Sequence, residues 1–290
     1  MTHQLENQTL RLKTKEDGAE LISIILKSDN TEYLWQGDPT FWGRHAPVLF
    51  PIVGRLVEDT YYVDSNEFHL TQHGFARDLP FTISHKSDHQ ISFELHSNEE
   101  TLKKYPFPFK LTITYELSDS TILVRYAVQN VGNKTMYFSI GAHPAFNCPL
   151  NKGETLEDYY LEFGTTEQME VYVLENGCRK QSKRPISEPS NTLPLTTELF
   201  KNDALIFDNL KENQITIRSK KNSKFVQMDF PNLPFVGIWK PYNEAPFVCI
   251  EPWQGIADEV GKPIELKNKK GIIALEDGEN FTCEYQITIG

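Results

Sequence analysis

Phe109-Lys110-Leu111-Thr112-Ile113-Thr114-Tyr115-Glu116-Leu117, then Ser118-Asp119-Ser120, then Thr121-Ile122-Leu123-Val124-Arg125-Tyr126-Ala127-Val128-Gln129 is the stretch that decides the fold. Apolar and polar residues alternate through both halves, so each half lays every second side chain on one face of a strand. The Ser-Asp-Ser break is turn chemistry at hairpin spacing, and the stretch therefore reads as an antiparallel β-hairpin with one buried face. The same rhythm recurs in whole or large part at Gln90–Leu95, Gln214–Arg218, Lys224–Phe230 and Phe281–Ile289. Val131-Gly132-Asn133-Lys134 and Glu276-Asp277-Gly278-Glu279 supply further turns. Leu21–Leu26 is short and almost continuously apolar, as a strand buried on both faces would be. Only Glu99–Tyr105 and Leu193–Phe200 read as short helices, and no G-x-G-x-x-G or P-loop occurs. The expected fold class is all-β: a large antiparallel β-sandwich of roughly fifteen to twenty strands in two stacked sheets.

The chain has 290 residues and no Ser/Gly-rich or charged linker, so one domain over residues 1–290 is expected. Its 29 basic and 40 acidic side chains give a net charge of −11 without a basic run. Nucleic acid and acidic membrane surfaces would be repelled and are excluded as partners. Met1–Leu10 is polar, lacking a basic segment followed by an apolar one, and no apolar stretch nears the roughly 20 residues of a membrane helix. Cytoplasmic placement is the expectation. The scattered Cys148, Cys178, Cys249 and Cys283 form no C-x-x-C pair and read as reduced thiols.

Function is sought where the rhythm breaks. Tyr33 to Leu56 is dense in aromatics, Pro and Gly without a period, as an ordered loop system would be. Three further islands hold His73 in Gln72-His73-Gly74-Phe75-Ala76-Arg77-Asp78, His143 in Gly141-Ala142-His143-Pro144-Ala145-Phe146-Asn147, and Glu251 in Cys249-Ile250-Glu251-Pro252-Trp253-Gln254-Gly255. Imidazole and carboxylate are the groups suited to moving protons near neutral pH, and the flanking Gly and Pro fix backbone paths that aim them. Glu251 follows the apolar run Phe247–Ile250, where a bare carboxylate is costly unless paired, protonated or functional. Taken singly, His73 or His143 is as readily structural. His45, His69, His85, His89 and His96 read as surface or satisfied structural residues. Trp35, Trp42, Trp239 and Trp253 could stack on a sugar ring, although a Trp is more often buried for packing. Arg77 could simply pair with Asp78.

In order along the chain, Tyr33-Leu34-Trp35-Gln36, Ala46-Pro47-Val48-Leu49-Phe50-Pro51-Ile52-Val53-Gly54-Arg55-Leu56, Gln72–Arg77, Gly141–Asn147 and Ile250–Gly255 closely resemble the aldose 1-epimerase (mutarotase) family, specifically its LacX-like branch. The resemblance implies the galactose-mutarotase-like β-sandwich, a free aldose as small-molecule partner and no cofactor. It implies Glu251 as the base, His143 as the acid and His73 as its helper. It further implies Arg55 and Asp203 as hydroxyl-binding residues; Arg77, in the His73 island, and Trp239, as a stacking face, are read from the residues themselves as further substrate contacts. The pattern departs from typical galactose mutarotases at Gly54, where that family has Asn before the arginine, and at Ala145, where it has Tyr, so galactose specificity is not inherited. Both histidines are expected to titrate with activity between about pH 5 and about pH 9.

Other readings compete. A hexose-6-phosphate mutarotase would need Arg77 with Arg44 or Lys240 as an anion pocket. A non-catalytic sugar-binding module would keep the aromatics without needing both histidines and the glutamate. A metal enzyme would use His73, His143 and Glu251 as ligands, against which the lack of H-x-[DE] spacing counts. The sequence does not specify the sugar or the oligomeric state; a homodimer is compatible with it.

Overall fold

In the computed structural model, which describes residues 1–208 and 210–290, the deciding stretch forms the strands Phe109–Ser118 and Thr121–Asn130, paired from Phe109↔Asn130 to Ser118↔Thr121. Only Asp119 and Ser120 remain for the turn, with Asp119 in the left-handed region at φ 47°, as a two-residue hairpin turn demands. Ile113, Tyr115, Val124 and Tyr126 are buried, so the sequence alternation becomes a core face.

This hairpin sits within an antiparallel nine-stranded sheet, whose order runs Ser190–Pro194, Tyr159–Glu167, Gln214–Ser219, Phe225–Asp229, Asn280–Ile289, Thr121–Asn130, Phe109–Ser118, Gln90–His96 and Thr82–Lys86. A six-stranded sheet contains Leu205–Asp208, Phe235–Trp239, Phe247–Gln254, Ile140–Ala142 and Val48–Leu49, with Ala145–Asn147 also paired to Phe247–Gln254. Leu205, Phe207, Val236, Ile238, Val248 and Ile250 from the second sheet join Ile113, Val124, Ile215, Met228 and Ile287 from the first in one apolar cluster. Burying each such side chain contributes about 1.5–3 kcal/mol. A four-stranded sheet covering Thr2 to Glu32 adds Leu5, Leu10, Leu12, Leu21 and Ile24 to the same core.

The described residues form 25 strands, more than expected, because several have only two or three residues. Leu21–Leu26 is a strand, but Ile22, Ile25 and Leu26 are only half-buried, so its second face is incompletely covered. Glu99–Lys104 is the expected helix, capped by Asn98, which accepts from the Glu100 and Thr101 amides. Leu193–Phe200 is not one helix. Its first residues end the strand Ser190–Pro194, and a 3-10 turn follows at Thr197–Phe200; Pro194 has no amide proton to give a helix there.

Candidate active site

The strand Phe247–Gln254 sets the geometry of the site. Nearly all of it is buried, so its sequence shows no polar face. Its neighbours decide which side is which. Val248 and Ile250 enter the main core, whereas Cys249 and Trp253 join separate clusters on the opposite face. The period of two places Glu251 on that second face as well.

The registers Ala145↔Cys249 and Gly141↔Trp253 then bring His143 directly across from Glu251. Pro144 and Pro252 lack amide protons, so the ladder opens between the two short strands, and the imidazole Nε2 approaches Glu251 Oε2 to 3.2 Å. On the other side Glu251 pairs with Gly237. A Cβ at Gly237 would lie 2.5 Å from the Trp253 ring, so glycine is needed for that indole to pass.

His73 reaches the same place from the loop after Asn66–His69, held in the left-handed region at φ 69°. Its amide donates to Gly54 O at 3.0 Å, and the Gly54 amide donates to its Nδ1 at 3.1 Å. With Nδ1 accepting, the neutral ring carries its proton on Nε2, and the Gln72 carboxamide, whose end group lies 3.2 Å away, must turn its oxygen rather than its NH2 toward it to accept. The next residue, Gly74, has φ 70°, and a Cβ there would meet Phe50 O at 2.3 Å. The two imidazoles stand edge to face, 5.7 Å between centroids. Trp42 stacks on His143 at 4.8 Å, and Trp239 meets the same ring edge-on at 5.7 Å.

These groups line a cavity of about 360 Å³, together with Arg77, Asp203, Trp253, Leu174, Ile206, Gly177 and Ala257. Asp203 is exposed on the wall at φ 76°, its carboxylate accepting from the Ala204 amide at 2.8 Å. Left-handed backbone at both His73 and Asp203 costs about 1–3 kcal/mol each, and such strain clusters at functional sites. Arg77 donates to Gln72 O at 2.7 Å, while its Nε is buried and without a hydrogen-bond partner among the described residues. Asp78 lies 3.9 Å from Arg77 Nε and is instead bonded by Arg44 at 2.8 Å. Arg55 departs from expectation. It lies outside the cavity lining, with its side chain 44% exposed and its Nε 3.6 Å from Asp59.

Burial governs the protonation of the site. Glu251 is held well above its ordinary value of 4.5 by burial and, secondarily, by the charge of Asp203. His143 is pushed down to about 3, mainly by burial, and burial with the neighbouring His143 takes His73 well below 6.5. Burial thus favours the uncharged form of each partner, with the proton on the carboxyl rather than on the imidazole, and keeps the His73 ring neutral. Both rings keep only a sliver of exposure at the cavity wall, and this burial moves them away from the ordinary imidazole titration expected from the sequence.

Gln72, and Leu174 and Gly177 from the hairpin of strands Glu170–Glu175 and Cys178–Pro185, were missed by sequence reasoning, although Gln72 adjoins His73; Trp42 had been named only among the Trp residues able to stack on a sugar. A buried ion pair was missed too. Lys269 Nζ lies 3.0 Å from Asp258 Oδ1 and donates to Ile256 O. Asp258 accepts from the Val57 amide at 3.2 Å and donates its own amide to Arg55 O at 2.9 Å. This clamp holds the Ala257 wall against the Gly54 segment that orients His73.

The antiparallel β-sandwich thus sets an imidazole–carboxyl pair in the wall of a cavity within the size range of small-molecule sites. A family model for aldose 1-epimerase matches residues 1–286. Protein LacX, encoded on a plasmid of Lactococcus lactis subsp. lactis, is 36% identical over 298 residues, covering 100% of this chain and 99% of LacX. The solved structure of a galactose mutarotase related enzyme from Lactobacillus acidophilus is 36% identical with a TM-score of 0.95, covering 100% of this chain and 97% of that one. A galactose mutarotase-like protein from Lactobacillus casei matches at 36% identity and TM-score 0.95, covering 100% of both chains. The chain belongs to the aldose 1-epimerase family, an isomerase class, and that membership supports a general mutarotase activity.

Proposed function

We propose that the protein interconverts the α and β anomers of a free aldose by acid/base ring opening. The observation that carries this reading is the His143–Glu251 pair, 3.2 Å apart in the cavity wall, where burial favours the proton on the carboxyl over the imidazole. Ring opening needs a base at the anomeric hydroxyl and an acid at the ring oxygen, and a pair with one proton supplies both. Passage of that proton from the carboxyl to the imidazole, without exchange with solvent, leaves Glu251 as the base. Glu251 takes the O1 proton, His143 protonates O5 as the C1–O5 bond breaks, and the aldehyde forms. Rotation about C1–C2 then lets the ring close with the other configuration. His73 steadies the ring oxygen through its Nε2 proton, Arg77 and Asp203 hold hydroxyls, and Trp239 with Trp42 offers an apolar face to the sugar C–H groups. Arg55, turned toward Asp59, has no direct part in this scheme. NMR exchange between the anomers of a panel of aldoses tests the proposal; binding without acceleration would leave only a sugar-binding module.

The pH dependence follows from the shared proton. Activity is lost when the pair gains a second proton, which His143 resists down to about 3, or loses its only one, which Glu251 resists well above 4.5. The anomer-exchange rate is expected to stay within about twofold from about pH 5 to about pH 7, where an ordinary imidazole titrating near 6.5 would impose a limb. A limb centred in that window would place a solvent-accessible imidazole in control of the rate.

Free sugars are expected to be preferred over their 6-phosphates. A phosphate dianion calls for two or more converging cationic donors, and Arg77 is the one Arg or Lys among the described residues lining the cavity. Arg44 is committed to Asp78. Lys240 is buried with its ammonium on the carbonyls of Pro241 and Asn243, at 3.0 and 2.5 Å. Exchange on glucose 6-phosphate faster than on glucose by about tenfold, a barrier difference of about 1.4 kcal/mol, and abolished by Arg77→Ala, would reverse this assignment.

A further inference from the structure

The acid/base scheme makes no use of Cys249, a free thiol buried two residues before Glu251 on the same face of the same strand. We propose that His143, Cys249 and Glu251 form a binding site for a thiophilic divalent cation of the zinc class, and that its occupation shuts off anomer exchange. The inhibitory half of this proposal rests on the mutarotase reading; the binding half does not.

One ligand atom from each of the three residues lies within 4.8 Å of the other two. His143 Nε2 and Glu251 Oε2 are 3.2 Å apart, and a tetrahedral zinc with nitrogen and oxygen ligands at about 2.0 Å holds them roughly 3.3 Å apart. That edge of the tetrahedron is in place before any cation arrives, and the thiol, within 4.8 Å of both other ligand atoms, has to close to about 3.5 Å. Since His143 and Glu251 both line the cavity, the fourth position is open to a water from it. The donor set is mixed nitrogen, sulfur and oxygen, which suits zinc and its heavier analogue cadmium; magnesium and calcium prefer oxygen alone.

Charge favours the same class of ion. A dication with one thiolate and one carboxylate is neutral overall, which the surroundings tolerate. Cys249 packs in an apolar cluster with Trp35, Ala145, Ala245 and Phe247, against which Trp42 and Trp239 lie. Binding forms metal–nitrogen, metal–oxygen and metal–sulfur bonds. The thiol proton leaves to solvent, as does whatever proton the Glu251 carboxyl carries at the working pH, with no change of oxidation state. The pair then has no proton to give, the imidazole lone pair is held by the metal, and the carboxylate is a far weaker base, so the metal competes with the reaction and with the sugar.

Chelator-treated protein titrated with cadmium tests the site directly. One equivalent is expected to raise a thiolate-to-cadmium charge-transfer band in the ultraviolet and to release protons, and Cys249→Ala is expected to lose the band. In parallel, zinc is expected to inhibit anomer exchange competitively with the sugar, with magnesium inert. Cys249→Ala should keep the metal-free rate and need at least about tenfold more zinc for half-inhibition, since losing even a group behind a metal ligand costs about 10–100-fold in affinity. Cys249→Ser, nearly the same size, gives the same reading should the alanine variant fold poorly. Absence of the band, its persistence in Cys249→Ala, or unchanged zinc sensitivity in both variants overturns the proposal. Cadmium binding with no anomer exchange in the metal-free protein would refute the mutarotase reading and leave the metal site standing.

Discussion

Glu251→Gln is expected to slow anomer exchange by at least about a hundredfold, the scale of a lost general base, while leaving the fold intact. The side chain is 2% exposed and has His143 Nε2 across the strand gap at 3.2 Å. An amide of the same shape can still donate to that nitrogen, so packing survives, but it can neither accept the O1 proton nor pass one to the imidazole. Stability should move the other way. The folded carboxyl is held well above 4.5, so the folded state binds a proton that the unfolded chain releases once the pH exceeds about 4.5, and stability falls as the pH rises from there. Glutamine does not titrate. The variant is therefore expected to melt at or above the wild-type temperature at pH 7, with the difference narrowing toward pH 4. Polarimetry and thermal melts at both pH values check this, and near-native turnover would remove Glu251 from the mechanism.

His143→Asn is expected to be the slower of the two histidine variants, by about 10²–10⁴-fold relative to wild type. His143 is the ring in contact with Glu251 and the one on which Trp42 stacks, so its loss removes the proton donor to O5 and half of the shared-proton pair. His73 is tied by the Gly54 amide at Nδ1 and contributes a single hydrogen bond from Nε2. Losing a hydrogen bond to developing charge costs about 1.5–3 kcal/mol, roughly 10- to 100-fold. Single-turnover exchange under saturating sugar separates the two. A larger loss in His73→Asn would transfer the acid's role to His73.

The local chemistry of the chain already specified much of this. Alternation at Phe109–Leu117 and Thr121–Gln129 has one physical cause, the period of a strand with one wet face, and the hairpin formed as read. His73, His143 and Glu251 stood out because Gly, Pro or an apolar run surrounded groups that such surroundings ill suit, and the fold brings all three to one cavity. Leu193–Phe200 misled because Pro194 is compatible with a strand end, and pairing with Tyr160 decided for it.

By itself, then, the sequence determined the class of fold and singled out the candidate residues that the fold brings to one cavity, because strand periodicity and the misfit of a charged group in an apolar run are local properties. The tertiary structure decided what depends on distant partners. The entire Phe247–Gln254 strand is apolar enough to hide its two faces; only its pairing with Phe235–Trp239, Ile140–Ala142 and Ala145–Asn147 sends Val248 and Ile250 to the core and Glu251 to the cavity, opposite His143. The same long-range packing selected Arg77 over Arg55 for the cavity wall and placed the Asp258–Lys269 clamp behind it. It also fixed the protonation of the pair, since the cost of a buried charge depends on how completely the surrounding chain excludes water.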